Sequence, residues 1–146
     1  MTDAGVQVAQ RGQGLLWVMR ILSAIVLVVT GGMHLYLIFN GVGGLLGVLF
    51  TLNAIAGIVL GIGMLTLHRG LLALATVLSL LFIIASLIAL LLALTVGLFG
   101  ITETWTFTLV PETVIIEAIG IVVLAITSAV ALRSPRVTAG AQVTAG

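Results

Sequence analysis

Four long apolar stretches, parted by short polar or glycine-rich breaks, organise the chain over about residues 15–132. They cover roughly 15–39, 45–67, 71–99 and 112–132. A helix needs about 20 apolar residues to cross the hydrocarbon core of a bilayer, so the pattern predicts an all-α integral membrane four-helix bundle. The third stretch is longer than a bilayer needs and is expected to tilt or project beyond the lipid.

The breaks have characters of their own. Residues 1–14 mix Asp, Gln, Gly and Arg without apolar periodicity and are expected to form a mobile tail. A cleaved signal peptide is disfavoured, since the first apolar run is too long, no small-residue cleavage motif follows it, and three more spans come after. Asn40-Gly41 and Gly43-Gly44 suit a tight turn, and His68-Arg69-Gly70 a second one. Between the last two spans, Thr102, Thr104, Thr106 and Thr108 alternate with Glu103, Trp105, Phe107 and Leu109. That two-residue period predicts an extended segment lying at the membrane interface, its aromatic face toward lipid or a partner. Pro111 and Glu112 suit the first turn of the fourth helix. Past Ser134-Pro135 the sequence Val-Thr-Ala-Gly occurs twice, so residues 134–146 are expected to be a flexible low-complexity tail.

Charge adds an orientation. Arg11 and Arg20 stand at the start of the first span, Arg69 between the second and third, and Arg133 and Arg136 after the fourth. The other two connections carry none, which by the positive-inside rule puts both termini in the cytoplasm (N-in, C-in); the plasma membrane is the expected location. Of the 146 residues 62% are hydrophobic and 6% charged, a balance suited to lipid as solvent. The formal charge of +1 supplies no broad basic surface, so nucleic acid is not an expected partner. Cys is absent, which excludes disulfides, thiol exchange and Cys-ligated zinc or iron–sulfur clusters.

Few residues are left to carry chemistry. His34 and Glu117, on the first and fourth spans, fall at the same depth, roughly 8–9 Å below the outer surface at 1.5 Å per residue. Ionisable groups in hydrocarbon are expected to face the bundle interior and pair, so a His34–Glu117 contact is expected, with Thr30 one turn below and Asn53 extending the polar group. The simpler meaning is a hydrogen bond that fixes the packing of the two spans. The functional alternative is a polar pocket for a proton, a lipid or quinone head group, or a metal ion. A metal is disfavoured, because one His and one or two carboxylates are too few ligands and Glu103 would have to fold back from its loop to help. His34 and His68 lie near opposite faces and cannot clasp one haem. No cofactor motif, phosphate loop or nucleophile–base–acid arrangement is present, so no catalytic activity is expected. Gly57 and Gly61 form a Gly-x-x-x-Gly face, and Ala85, Ala89 and Ala93 repeat that spacing; both suit close helix approach, within the chain or against a partner. Trp105 and Phe107 are the other candidates for a partner-facing surface. Arg20 is expected to snorkel to the inner surface.

At His34-Leu35-Tyr36-Leu37, Leu49-Phe50-Thr51-Leu52-Asn53-Ala54 with Gly57 beyond, Gly97-Leu98-Phe99-Gly100, Glu103-Thr104 and Glu117, the chain resembles a group of small four-span actinobacterial membrane proteins. The likeness covers most of the apolar region and neither tail. It implies the four-span fold and draws attention to His34, Asn53, Glu103 and Glu117. A more distant similarity to DoxX-like proteins is one of topology only. Short loops and few polar groups then favour a non-catalytic accessory or stabilising subunit of a larger lipid-transport or respiratory complex, with membrane lipids and other integral membrane subunits as partners. The alternative is a small redox-linked or ligand-binding membrane protein using the His34/Glu117 pocket.

The arginine partition makes a direct prediction. In this Cys-free chain, single cysteines at position 69 should label with impermeant thiol reagents only from the cytoplasmic side, and those at positions 40 and 105 only from outside; labelling of position 69 from outside would refute the orientation.

Overall fold

The computed structural model describes the backbone of residues 3–133 and the side chains of residues 12–133. It contains four helices in chain order: α1 (Asp3–Phe39), α2 (Gly44–Thr66), α3 (Arg69–Thr95) and α4 (Val110–Arg133). All four are long and apolar enough to cross a membrane. Four such helices suggest a multi-pass membrane protein, and the described residues are all-helical apart from their turns and loop. Aliphatic side chains such as Ile55, Val59 and Ile62 on α2 and Leu71 and Leu74 on α3 are exposed around the outside, where lipid is the natural solvent.

Two boundaries and one connection differ from those the apolar pattern implies. Helix α1 begins at Asp3, so residues 3–14, expected as an irregular tail, continue the helix. Once a helix is nucleated each further residue adds a hydrogen bond at little cost, so polar residues can extend an apolar span. Helix α3 ends at Thr95, short of residue 99, because Gly97 takes a left-handed φ of +83° and its N–H bonds to the Leu92 carbonyl. Beyond it Leu98 and Ile101 pair across a two-residue turn in which Phe99 and Gly100 both have positive φ. The connection to α4 is also not extended. Phe107 N–H bonds to Thr104 O and Val110 N–H to Phe107 O, so the segment folds into successive turns that satisfy its own backbone groups. As a result Phe107 is half-buried while Trp105 is exposed, and the two do not share a face. The segment after residue 133, with its repeated tetrapeptide, lies outside the described residues.

The helices form a ring in which α1 sits between α2 and α4, and α3 closes the circuit, packing most thinly against α2. The α1–α2 seam is a backbone contact. A Cβ on Gly57 would stand 2.7 Å from the Leu27 carbonyl oxygen and 3.1 Å from the Gly31 Cα, and one on Gly31 would stand 3.0 Å from the Ala54 oxygen. Gly61 meets the Val28 side chain in the same way. The Gly57/Gly61 motif is thus used within the chain, with Gly31 as its counterpart on α1. On the other flank of α1, Gly120 of α4 lies against Val26, and the Ser23 and Thr127 hydroxyls bond at 2.9 Å.

Arg20 ties the end of the bundle that carries the chain termini. It does not snorkel outward: its Nε donates to Met64 O at 2.7 Å, and its Nη2 to Leu65 O and Leu67 O at 2.9 Å each. The last carbonyls of a helix have no intrahelical donors, and the guanidinium supplies several at once. Trp17 lies 5.1 Å from the guanidinium carbon and covers it.

Glycine at position 57 is set by this geometry. Gly57→Ala should force α1 and α2 apart and cost about 1–3 kcal/mol, whereas Gly32→Ala, with nothing within 4 Å of the added carbon, should be neutral or slightly stabilising; thermal unfolding in detergent compares them, and equal melting temperatures would contradict the seam.

Candidate functional site

The thin α2–α3 closure leaves a cavity of about 410 Å³ in the half of the bundle that carries the α1–α2 turn and the α3–α4 loop. That volume falls within the roughly 300–1,000 Å³ of small-ligand pockets. Its walls are apolar: Leu37 from α1, Leu49 and Phe50 from α2, Phe82 and Leu90 from α3, with Leu98 and Phe107 from the loop above. Leu52 and Ala85, on α2 and α3, line it and remain exposed, so the cavity opens between these two helices.

A row of polar side chains crosses its floor. Asn53 Nδ2 donates to Ser86 Oγ at 2.8 Å, and Ser86 Oγ donates to Glu117 Oε1 at 2.6 Å, linking α2, α3 and α4. Glu117 has no exposed surface, and its Oε2 has no hydrogen-bond partner; the Asn53 Oδ1 is also buried without one. The 3.6-residue period places Glu117 on the same inward face of α4 as Thr113, Gly120 and Leu124. Counting 1.5 Å per residue from the loop ends of their helices, His34 is roughly 8 Å deep, Glu117 roughly 10 Å, and Asn53 and Ser86 roughly 14 Å.

His34 and Glu117 do line one cavity, but no hydrogen bond joins them. His34 Nδ1 bonds to the Thr30 carbonyl at 2.8 Å, and the ring meets Phe50 edge-on at 4.9 Å. A carbonyl can only accept, so Nδ1 carries a proton; in the neutral form of the ring Nε2 is then an acceptor. The expected pairing yields here to two local alternatives: a backbone oxygen one turn back for the histidine, and a serine on a neighbouring helix for the carboxyl. Thr30 takes part through its carbonyl, while its own buried hydroxyl is unpartnered.

The loop completes the site. Glu103 N–H bonds to Ala93 O at 3.0 Å, which folds the loop back over the end of α3 and brings the Glu103 side chain to the cavity rim. Burial there pushes the Glu103 carboxyl up from its ordinary range. Ala85, Ala89 and Ala93 line the cavity, and their small side chains make room for it. Among the described residues no group of three or more His, Asp or Glu side chains is placed to hold a metal ion.

Ser86 is the member that sequence reasoning missed. A single serine in an apolar span is ordinary, and its register with Asn53 shows only once α3 is known to end at Thr95. No protein-family model, curated protein or solved structure matches the chain.

The relay makes two variants informative. Ser86→Ala removes the only donor to Glu117 among the described residues and should cost about 1–3 kcal/mol; Glu117→Gln, whose amide oxygen can still accept from Ser86, should melt well above Glu117→Leu. Melting temperatures of the purified variants decide this, and equal losses for Gln and Leu would show that the Ser86 bond does not matter.

Proposed function

We propose that this protein binds a small amphiphilic molecule within the membrane, its apolar part in the cavity and its polar end at the Asn53–Ser86–Glu117 row. The observation that carries this is the fully buried Glu117 carboxyl, one oxygen of which has no partner, on the floor of an apolar cavity. Intramembrane carboxyls are costly and tend to mark functional sites, and an unpartnered buried polar atom needs an explanation. A ligand head group supplies the missing partner. The opening between α2 and α3 supports entry from the lipid rather than from water. By the arginine partition the cavity belongs to the outer leaflet of the plasma membrane, with both termini cytoplasmic.

An accessory role in a lipid-transport or respiratory complex is a second proposal and can accommodate the first, with the bound amphiphile passed to or from a partner subunit. Its surface differs from the sequence-based expectation. The alanine stripe faces the cavity, which leaves exposed Trp105 as the candidate partner contact.

Filling the cavity tests the reading. Protein purified from native membranes in mild detergent should carry a stoichiometric lipid-like molecule, detectable by native mass spectrometry, and Ala89→Phe should abolish that occupancy while the four helices still insert. Unchanged occupancy in Ala89→Phe, or a ligand-free wild-type protein that takes up no amphiphile, would refute it.

A further inference from the structure

The polarity of the hydrogen bonds around the cavity narrows the kind of head group it can hold, and so extends the ligand-binding reading on which it rests. The row runs in one direction. Asn53 gives an N–H to Ser86, and Ser86 gives its only O–H to Glu117, so no donor of Ser86 is left over. Among the cavity-lining residues the buried side-chain atoms without a partner are Glu117 Oε2 and Asn53 Oδ1; with the carboxyl ionised both are acceptors, and the one donor left in the row is the second N–H of Asn53 Nδ2. Charge points the same way. Glu117 and Glu103 both line the cavity, and among the described residues no arginine or lysine does. Arg20 is engaged by the α2 carbonyls, roughly 28 Å of helix away from Phe39; Arg69 begins α3 and Arg133 ends α4, both at the opposite end from the loop.

We propose that the cavity selects a single-chain amphiphile whose head is a protonated primary amine, with Glu117 as its counter-ion and Asn53 as a neighbouring acceptor. An ammonium carries three donors and one positive charge, which is what a carboxylate without a cation and its neighbouring acceptors lack. A buried carboxylate is tolerated when it is paired and hydrogen-bonded, and the ligand provides both conditions. An alcohol offers one donor and no charge. A fatty acid brings a second negative charge to a site already holding two carboxyls, and a quaternary ammonium brings charge without an N–H.

The test uses the full chain in phosphatidylcholine nanodiscs, titrated with decylamine, decanol, decanoate and decyltrimethylammonium, with bound ligand counted by native mass spectrometry. Decylamine is expected to saturate at one molecule per chain and to bind about tenfold or more tighter than each of the other three. Glu117→Gln should reduce amine binding by about the same factor and alter decanol binding far less, since the amide oxygen still accepts from a hydroxyl. Comparable affinity for decylamine and decanol, tighter binding of decanoate, a quaternary ammonium that matches the primary amine, or undiminished amine binding in a folded Glu117→Gln variant would each overturn the proposal while leaving the cavity a ligand site. Binding of none of the four by the inserted wild-type protein would remove the ligand-binding reading as well. The head-group series is run on the unaltered chain, so it decides the question independently of how the variant folds.

Discussion

The arrangement of the bundle depends on the contact between α1 and α2, where glycine lets two helix backbones touch. In lipid, helices gain no hydrophobic energy by associating, so close van der Waals packing must hold them together. Gly31, Gly57 and Gly61 provide it, since a carbon added at any of the three would lie within 3.0 Å of a neighbouring atom. Gly120 does the same for α4 against Val26. With α1 clamped on both sides, α3 is left to close the ring with larger or merely small side chains, and it does so incompletely. The tight side of the bundle and the cavity on its other side are consequences of one distribution of glycine.

Polar groups follow that asymmetry. Where the packing is tight several are consumed by the scaffold, while the buried Thr30 and Ser128 hydroxyls have no partner: Ser23 and Thr127 bond across the α1–α4 seam, and Arg20 occupies carbonyls at the end of α2 and at Leu67 just beyond it. Where it is loose, the row from Asn53 through Ser86 to Glu117 bridges α2, α3 and α4, and its two ends keep unpartnered oxygens. The bridge offsets part of the thin α2–α3 contact. It also leaves a carboxyl oxygen and an amide oxygen unpartnered beside a cavity of about 410 Å³.

The loop after α3 shows how backbone bookkeeping can override side-chain pattern. Its Thr/aromatic alternation reads as an extended interfacial strip, yet a lone strand in or near lipid leaves its N–H and C=O groups without partners. Turn-forming bonds, together with the Glu103 N–H to the Ala93 carbonyl, satisfy those groups instead. The price is positive φ at Phe99 and Leu109, and the result is that Glu103 and Phe107 become part of the site while Trp105 faces outward.

Sequence alone determined the class, the number of spans and the depth of the ionisable residues, because hydrophobic length and helical rise are local quantities that need no knowledge of neighbours. The glycine motif of α2 was legible for the same reason, since close approach demands small residues wherever the partner lies. Which residues meet was decided only by the tertiary structure. His34 and Glu117 share a depth, but depth does not set the angle each presents around its helix or the competing partners it finds, and Thr30 O and Ser86 Oγ are nearer matches. The alanines of α3 have the spacing of a packing stripe, yet they border empty space because glycine elsewhere had already drawn α1 toward α2 and α4.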